Sequence, residues 1–341
     1  MVQTRKMALI HTLTAPVERA KGLFPIEKIS LAYNAFTTVL IAYFYMQLMN
    51  PGAQLMERMG IVGMTALFYL LYQWRPCRLT TFVRVVAQLG LLAYWYPDTY
   101  EFNRLFPNLD HLFAEWEQGF FGCQPALLFS QSCHTVWWSE AFNMGYWAYY
   151  PMIFIVVLYY FFARYAGFMK TAFVVLCSFF AYYLIYIFLP VTGPQFYFNA
   201  IGLEQAAIGF FPNVGDYFLH HSELLPNPDA IDGLFFRLVE GAQAAGERPT
   251  AAFPSSHVGM STILMILAGK ANRRLMWGML PFYLLLCGAT VYIQAHYLID
   301  AIAGFLSAFL IYWLSSTFYR VAVEKGGHAD ETGKTDAQLK I

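Results

Sequence analysis

The sequence predicts an all-α polytopic membrane protein, and three observations carry that prediction. Of its 341 residues, 58% are hydrophobic, 19% aromatic and only 12% charged, whereas a soluble domain carries about 25% charged residues. The apolar residues fall in continuous runs close to the roughly 20 residues a helix needs to cross a hydrocarbon core, rather than alternating as barrel strands do. Lys and Arg are also biased towards alternate connections between those runs, the pattern that orients membrane helices. The formal net charge is +0, so there is no basic excess of the kind that nucleic-acid binding requires.

Eight segments read as a helical bundle of about eight spans: residues 31–49, 59–74, 80–96, 146–163, 171–189, 256–269, 275–293 and 297–318, the second and sixth being short. With both termini in the cytoplasm, sixteen of the 21 Lys and Arg fall on the cytoplasmic side and four on the other (Arg58, Arg104, Arg237 and Arg248). Arg84 sits one turn into the third span, where its stem can reach back to the interface. The first thirty residues lack a continuous apolar core, so no cleavable signal peptide is expected. Without such a leader or long polar tails, the chain points to a bacterial inner membrane.

Residues 1–29 form an N-terminal segment. Val17, Ala20, Leu23 and Phe24 fit the apolar stripe of an interfacial helix with Arg19, Lys21 and Lys28 towards headgroups, or equally a solvated lead into the first span. Residues 30–79 hold two added spans, residues 80–318 a six-helix core, and residues 319–341 a polar, disordered cytoplasmic tail. The first outer loop, 97–145, is acidic and rich in Trp and Tyr suited to an interface belt. Its end, residues 139–146, is polar enough to contribute to a headgroup pocket. Cys123 and Cys133 share this loop, where an oxidising compartment allows pairing, although spacing alone does not fix the geometry. The second outer loop, 190–252, opens with Pro190, Gly193 and Pro194, which stop the fifth span. It is too long for a passive connection, and residues 234–245 fit a short amphipathic helix over the site.

The chemistry lies at the two ends of a two-span hairpin. Phe253-Pro254-Ser255-Ser256-His257 precedes it and His296-Tyr297-Leu298-Ile299-Asp300 follows it. Two crossings return the chain to the face it left, so both histidines meet at one surface, extracytoplasmic in this topology. His296 and Asp300, at i and i+4, share a helix face. A carboxylate beside one ring nitrogen fixes the tautomer and leaves the other nitrogen with a lone pair, which makes a nucleophile. Asp300 also begins an apolar span, where an ionisable group is costly and marks function. His257 stands at a helix start, whose free N–H groups bind phosphate, with the hydroxyls of Ser255 and Ser256 beside them. Arg248-Pro249 can add a positive charge. The histidines lack a ligand cluster with metal spacing, so no metal or other cofactor is expected.

These two blocks resemble the second and third signatures of the type-2 phosphatidic acid phosphatase superfamily. The resemblance implies a six-helix catalytic core and the triad His257, His296 and Asp300. His296 would take the phosphoryl group, Asp300 would orient and charge it, and His257 would protonate the leaving alcohol. The phosphatase branch also carries Lys, six residues, then Arg-Pro, which this chain lacks, and an Arg six residues before the nucleophile, where this chain has Thr290. Instead there are Gly193-Pro194-Gln195-Phe196-Tyr197 and Thr290-Val291-Tyr292-Ile293-Gln294, more similar to the lipid phosphotransferase branch typified by inositol phosphorylceramide synthases. The resemblance makes Gln195, Tyr197 and Tyr292 candidate substrate contacts beside Ser255, Ser256 and Arg248.

A phosphodiester carries one charge fewer than a monoester and needs fewer cations. The expected activity is therefore transfer of a phospho-headgroup, such as phosphoinositol, from a glycerophospholipid to a ceramide-type alcohol, with bilayer lipids as partners. Hydrolysis of a lipid phosphate monoester by water is the nearest alternative. A transporter or non-catalytic membrane scaffold is the alternative of another class, and it requires that His296→Ala leave activity in cells intact.

Overall fold

Prolines and the edges of apolar runs set the helix boundaries. The structure is a computed structural model that describes residues 10–133, 135–226 and 233–325. Among these residues there is no strand, only an isolated antiparallel bridge between Pro16 and Cys77. The contacts divide the chain into two units, one of residues 1–92, 160–177 and 315–341, the other of residues 93–159 and 178–314.

In the first unit, α1 (Pro25–Tyr43) and α2 (Pro51–Trp74) each begin on a proline, the residue whose missing N–H costs least in a first turn. Glu27 reaches back and accepts the Phe24 backbone N–H at 2.7 Å. α3 (Arg78–Gly90) follows the Arg75-Pro76 turn. Residues 17–24 are not helical, which corrects the interfacial-helix option. They are tied to the end of α2 and the turn after it by Val17 N–H on Pro76 O (3.3 Å) and by Gln73 Nε2 donating to Ala20 O (3.0 Å).

Arg84 does not reach the interface either. It is fully buried and donates from Nε to Glu27 Oε1 at 2.7 Å and from Nη2 to Glu27 Oε2. Its guanidinium lies 3.7 Å from the Phe24 ring centroid and 4.7 Å from that of Tyr72. The sequence showed the charge, but its partner lies 57 residues away. Removing one member of a buried pair strands the other charge and costs about 3–5 kcal/mol. Arg84→Met should therefore lower the melting temperature in detergent sharply, and Glu27→Gln added to it should recover part of the loss. A double variant no more stable than the single would contradict this pairing.

In the second unit, α4 (Leu92–Asn103) is separated from α3 at Leu91, so the third expected span is interrupted. The stretch expected as a first outer loop is mostly helix: α5 (Asp110–Phe121), α6 (Pro125–Ser132) and α7 (Val136–Trp147). These segments are mixed in polarity and bury one side, a pattern that a search for apolar runs overlooks. α8 (Tyr149–Ala163) and α9 (Phe168–Phe188) come next in the chain, with residues 160–177 of them counted in the first unit. In the second expected loop lie α10 (Pro194–Ile201), α11 (Leu203–Ala207) and α12 (Leu234–Gly246), the last where an amphipathic helix is predicted. Glu140 of α7 accepts the Phe235 and Phe236 N–H groups at 3.1 and 3.0 Å, capping α12 from a neighbouring helix. α13 (Ser256–Ala271), α14 (Arg273–Tyr292) and α15 (Leu298–Lys325) complete the chain, with α14 packed on α13 and α7.

All eight expected segments coincide with helix, but fewer qualify as spans. Among the described residues, four helices are long and apolar enough to cross a membrane: Pro51–Trp74, Tyr165–Phe188, Arg273–Tyr292 and Leu298–Val323. The pair Val136–Trp147 and Tyr149–Ala163, bent by 41°, makes a fifth if it is one span. α3 and α13 have only 13 and 16 residues, and α1 stops at Tyr43 and carries Glu27 and Lys28 in its first turn. The protein is an all-α multi-pass membrane protein. α15 continues to Lys325, so residues 319–325 are helix rather than tail. Residues 326–341, Arg5, Lys6, Asp229 and Asp232 lie outside the described residues. Cys123 and Cys133 are free thiols, not a disulfide.

Candidate active site

The site is built from the start of α13, the turn between α14 and α15, and the α7–α8 bend. Ser255 caps α13, its Oγ accepting Val258 N–H at 3.4 Å. Ser255 N–H donates to the Asp300 carbonyl at 3.0 Å, which ties the start of α13 to the first turn of α15. Gly304 permits that approach, since a Cβ there would lie 2.4 Å from the Ser255 carbonyl oxygen. His257 and His296 are consequently neighbours although 39 residues apart, with His257 Nδ1 and His296 Nε2 at 3.4 Å.

The hydrogen bonds assign the tautomers. His296 Nδ1 lies 2.9 Å from the Ala252 carbonyl oxygen, which can only accept, so Nδ1 carries the hydrogen. The lone pair is then on Nε2, and His257 Nδ1–H points at it. The Asp300 carboxylate is not the tautomer-fixing partner predicted from the i, i+4 spacing. Its Oδ2 stands 3.7 Å from His296 Nδ1, beyond a hydrogen bond, and accepts Tyr297 N–H at 2.9 Å instead. Asp300 is fully buried, and its Oδ1 has no hydrogen-bond partner among the described residues. The backbone is left-handed at Ala251 (φ 70) and Gln294 (φ 63), on both segments that carry this contact. Such geometry in non-glycine residues costs roughly 1–2 kcal/mol each and collects at functional sites.

His257 is held between rings. The Tyr146 and Tyr149 centroids each lie 4.6 Å from its own, at interplanar angles of 27° and 46°. The two tyrosines are three residues apart across the bend, so both face the same side. Below it, Ser256 N–H donates to Tyr186 Oη, which donates to Pro254 O, both at 2.8 Å.

The other candidates divide. Gln195 is buried and abuts the turn before His296, its N–H on Gln294 O at 2.9 Å and its Oε1 accepting Gln243 Nε2 of α12 at 3.3 Å. Arg248 is half-buried and donates to Glu247 O at 2.7 Å. Tyr197 and Tyr292 commit their hydroxyls to the carbonyls of Pro212 and Cys133, each at 2.8 Å. Both rings pack in apolar clusters, which corrects their reading as substrate contacts. Among the described residues, no group of three or more His, Cys, Asp or Glu could hold a metal ion.

Two carboxyls escaped the sequence reading. Glu247 accepts the Tyr96 hydroxyl at 3.1 Å. Burial raises its pKa, partly offset by that hydrogen bond and by His296. Burial pushes His296 down to about 4, against the Ala252 hydrogen bond and Glu247, so the ring is neutral at neutral pH. Glu117, fully buried, accepts Ile299 N–H at the start of α15 at 3.1 Å. Burial pushes its pKa up to about 7, and Asp300 adds to the rise.

A carboxyl whose folded pKa is raised binds a proton in the folded state first. Glu117 should thus add stability as pH falls from about 7 towards its ordinary 4.5, by about 3 kcal/mol at the limit. The melting temperature of the wild type relative to Glu117→Gln should rise between pH 8 and pH 5. A gap constant over that range would contradict the shifted titration.

The sequence model of the PAP2 superfamily matches residues 113–314, which include both histidines, Asp300 and the rings around His257. No curated protein and no solved structure matches the chain. The match covers more than half of the chain and the whole of the histidine site, and the chain belongs to the PAP2 superfamily.

Proposed function

We propose that the protein is a lipid phosphotransferase that works through a phosphohistidine. It moves a phospho-headgroup from a glycerophospholipid to a ceramide-type alcohol at the extracytoplasmic face of a bacterial inner membrane, with both termini cytoplasmic. The observation that carries the reading is the histidine pair with its assigned protons: a lone pair on His296 Nε2 facing a hydrogen on His257 Nδ1, at 3.4 Å.

His296 Nε2 attacks phosphorus, the P–O bond to diacylglycerol breaks, and the His257 Nδ1 proton passes to the leaving oxygen. His257 Nδ1, now a base, takes the proton of the acceptor hydroxyl. That oxygen attacks phosphorus, the P–N bond breaks, and both rings return to their starting state. Asp300, 3.7 Å from Nδ1, offsets the positive charge that His296 acquires when phosphorylated. A phosphate between the rings requires them to separate.

A diester donor is favoured by the scarcity of cations. Thr290, where the phosphatase branch carries Arg, is buried and donates its hydroxyl to Cys287 O at 2.9 Å. Purified protein should be given phosphatidylinositol, and in turn other glycerophospholipids, with and without ceramide, and phosphatidate separately. The expected result is ceramide-dependent release of diacylglycerol with a phosphoceramide product. Phosphate release from phosphatidate with no transfer product from any diester would replace this reading with a phosphatase.

A further inference from the structure

Asp110 is fully buried, and composition marks it only as one acid of an aromatic loop. Its carboxylate accepts five hydrogen bonds: at Oδ2 from Asn108 Nδ2 (2.6 Å), Thr192 N (2.6 Å) and Thr192 Oγ1 (2.9 Å), and at Oδ1 from Gly193 N (2.8 Å) and Tyr297 Oη (3.1 Å). No Lys or Arg is among these donors. Three of them are N–H groups that can only donate, the environment of an ionised carboxylate held by oriented dipoles.

The donors gather around the nucleophile. Thr192 and Gly193 form the turn between α9 and α10, and Tyr297 follows His296 directly. Within that turn Val191 O accepts Ala252 N–H at 3.0 Å, and Ala252 O in turn accepts His296 Nδ1–H at 2.9 Å. Gly193 has φ 91, and a Cβ there would lie 2.6 Å from Ala295 O, so the turn lies flush against the residue before His296. Gln195 N–H closes the other side on Gln294 O at 2.9 Å. One carboxylate therefore fixes the turn, the turn fixes a carbonyl, and the carbonyl fixes the ring.

We infer that Asp110 is the positioning residue for His296, setting its tautomer and aim through Thr192, Gly193 and Ala252, the task that sequence spacing assigns to Asp300. The inference rests on His296 being the nucleophile. Asp110→Asn puts an amide nitrogen against an N–H that can only donate whichever way the amide is turned, and the turn must shift. A displacement of about 1 Å at a reacting atom costs on the order of 100-fold in rate.

The test is the single-turnover rate of phosphohistidine formation from a radiolabelled phosphodiester lipid, per folded molecule, with folding followed by thermal unfolding. Asp110→Asn should slow that rate by about 100-fold while KM for the donor stays within about threefold, the split expected of lost transition-state alignment. Tyr297→Phe and Thr192→Val each remove one donor and keep the carboxylate. Each should slow the step about tenfold, as for one hydrogen bond to a charged group, and they carry the comparison if Asp110→Asn does not fold. A purely structural role would lower the melting temperature and leave the rate per folded molecule unchanged, and that result overturns the inference. Label on the wild type that forms equally fast in the variants sinks the inference alone. If the wild type takes no label, the phosphohistidine reading falls, and this inference with it.

Discussion

His296→Ala should abolish transfer, with a loss of about four orders of magnitude or more, because in the proposed mechanism it removes the atom that bonds to phosphorus. The magnitude separates this reading from weaker ones. If the imidazole only polarised the phosphate, the second histidine and the helix start would retain much of the rate, and the loss would resemble that of one hydrogen bond, about 10–100-fold. The covalent reading rests on the tautomer and the charge of the ring. Its Nδ1 hydrogen is held by Ala252 O at 2.9 Å, and burial keeps the ring neutral down to about pH 4. The variant should be stable enough to assay, since alanine leaves the backbone bond from His296 N–H to Thr290 O at 2.9 Å in place. The check is to incubate both proteins with radiolabelled donor and quench in base, where phosphohistidine survives. Label on the wild type and none on the variant is the expected outcome. Residual activity above about one per cent, in protein free of wild type, would remove His296 from the covalent role.

What could be read from the sequence follows from what each contact is made of. The meeting of His257 and His296 was legible because a helical hairpin, α13 and α14, returns the chain to the end it left, and both helices are visible as apolar runs. The tautomer-fixing contact was not, because its acceptor is a backbone carbonyl, and any residue could stand at Ala252. The i, i+4 spacing points to Asp300 because it is a side-chain rule, but the carboxylate turns to its own helix start at Tyr297. Tyr197 and Tyr292 sit in recognisable motifs, yet a motif does not show which way a ring points, and both point into apolar clusters. The helices α5 to α7 were missed as a group because short, mixed-polarity helices leave no long apolar run. Tyr146 and Tyr149 fall at the start of the expected segment 146–163, where an interface belt accounts for such rings, so the clamp on His257 was hidden.

His257→Ala should cost about 100- to 10,000-fold with a natural lipid donor, the usual contribution of a positioned acid or base, and the donor's leaving group should decide where the loss appears. Diacylglycerol departs as a poor leaving group unless a proton reaches its oxygen, and the hydrogen on His257 Nδ1, 3.4 Å from the attacking nitrogen, is the one placed to do so. An aryl phosphodiester carries a leaving group that needs no proton. With that donor the variant should form phosphohistidine at nearly the wild-type rate. The second half of the cycle still lacks a base for the acceptor hydroxyl, so the phosphoenzyme should accumulate and turn over slowly even with saturating ceramide. The void left between Tyr146 and Tyr149 predicts a different pattern if it alone is responsible, because a disturbed pocket would slow aryl and natural donors alike. Equal losses with the two donors, and no accumulated phosphohistidine, would therefore take the proton-transfer role from His257 and leave it as a packing residue between two rings.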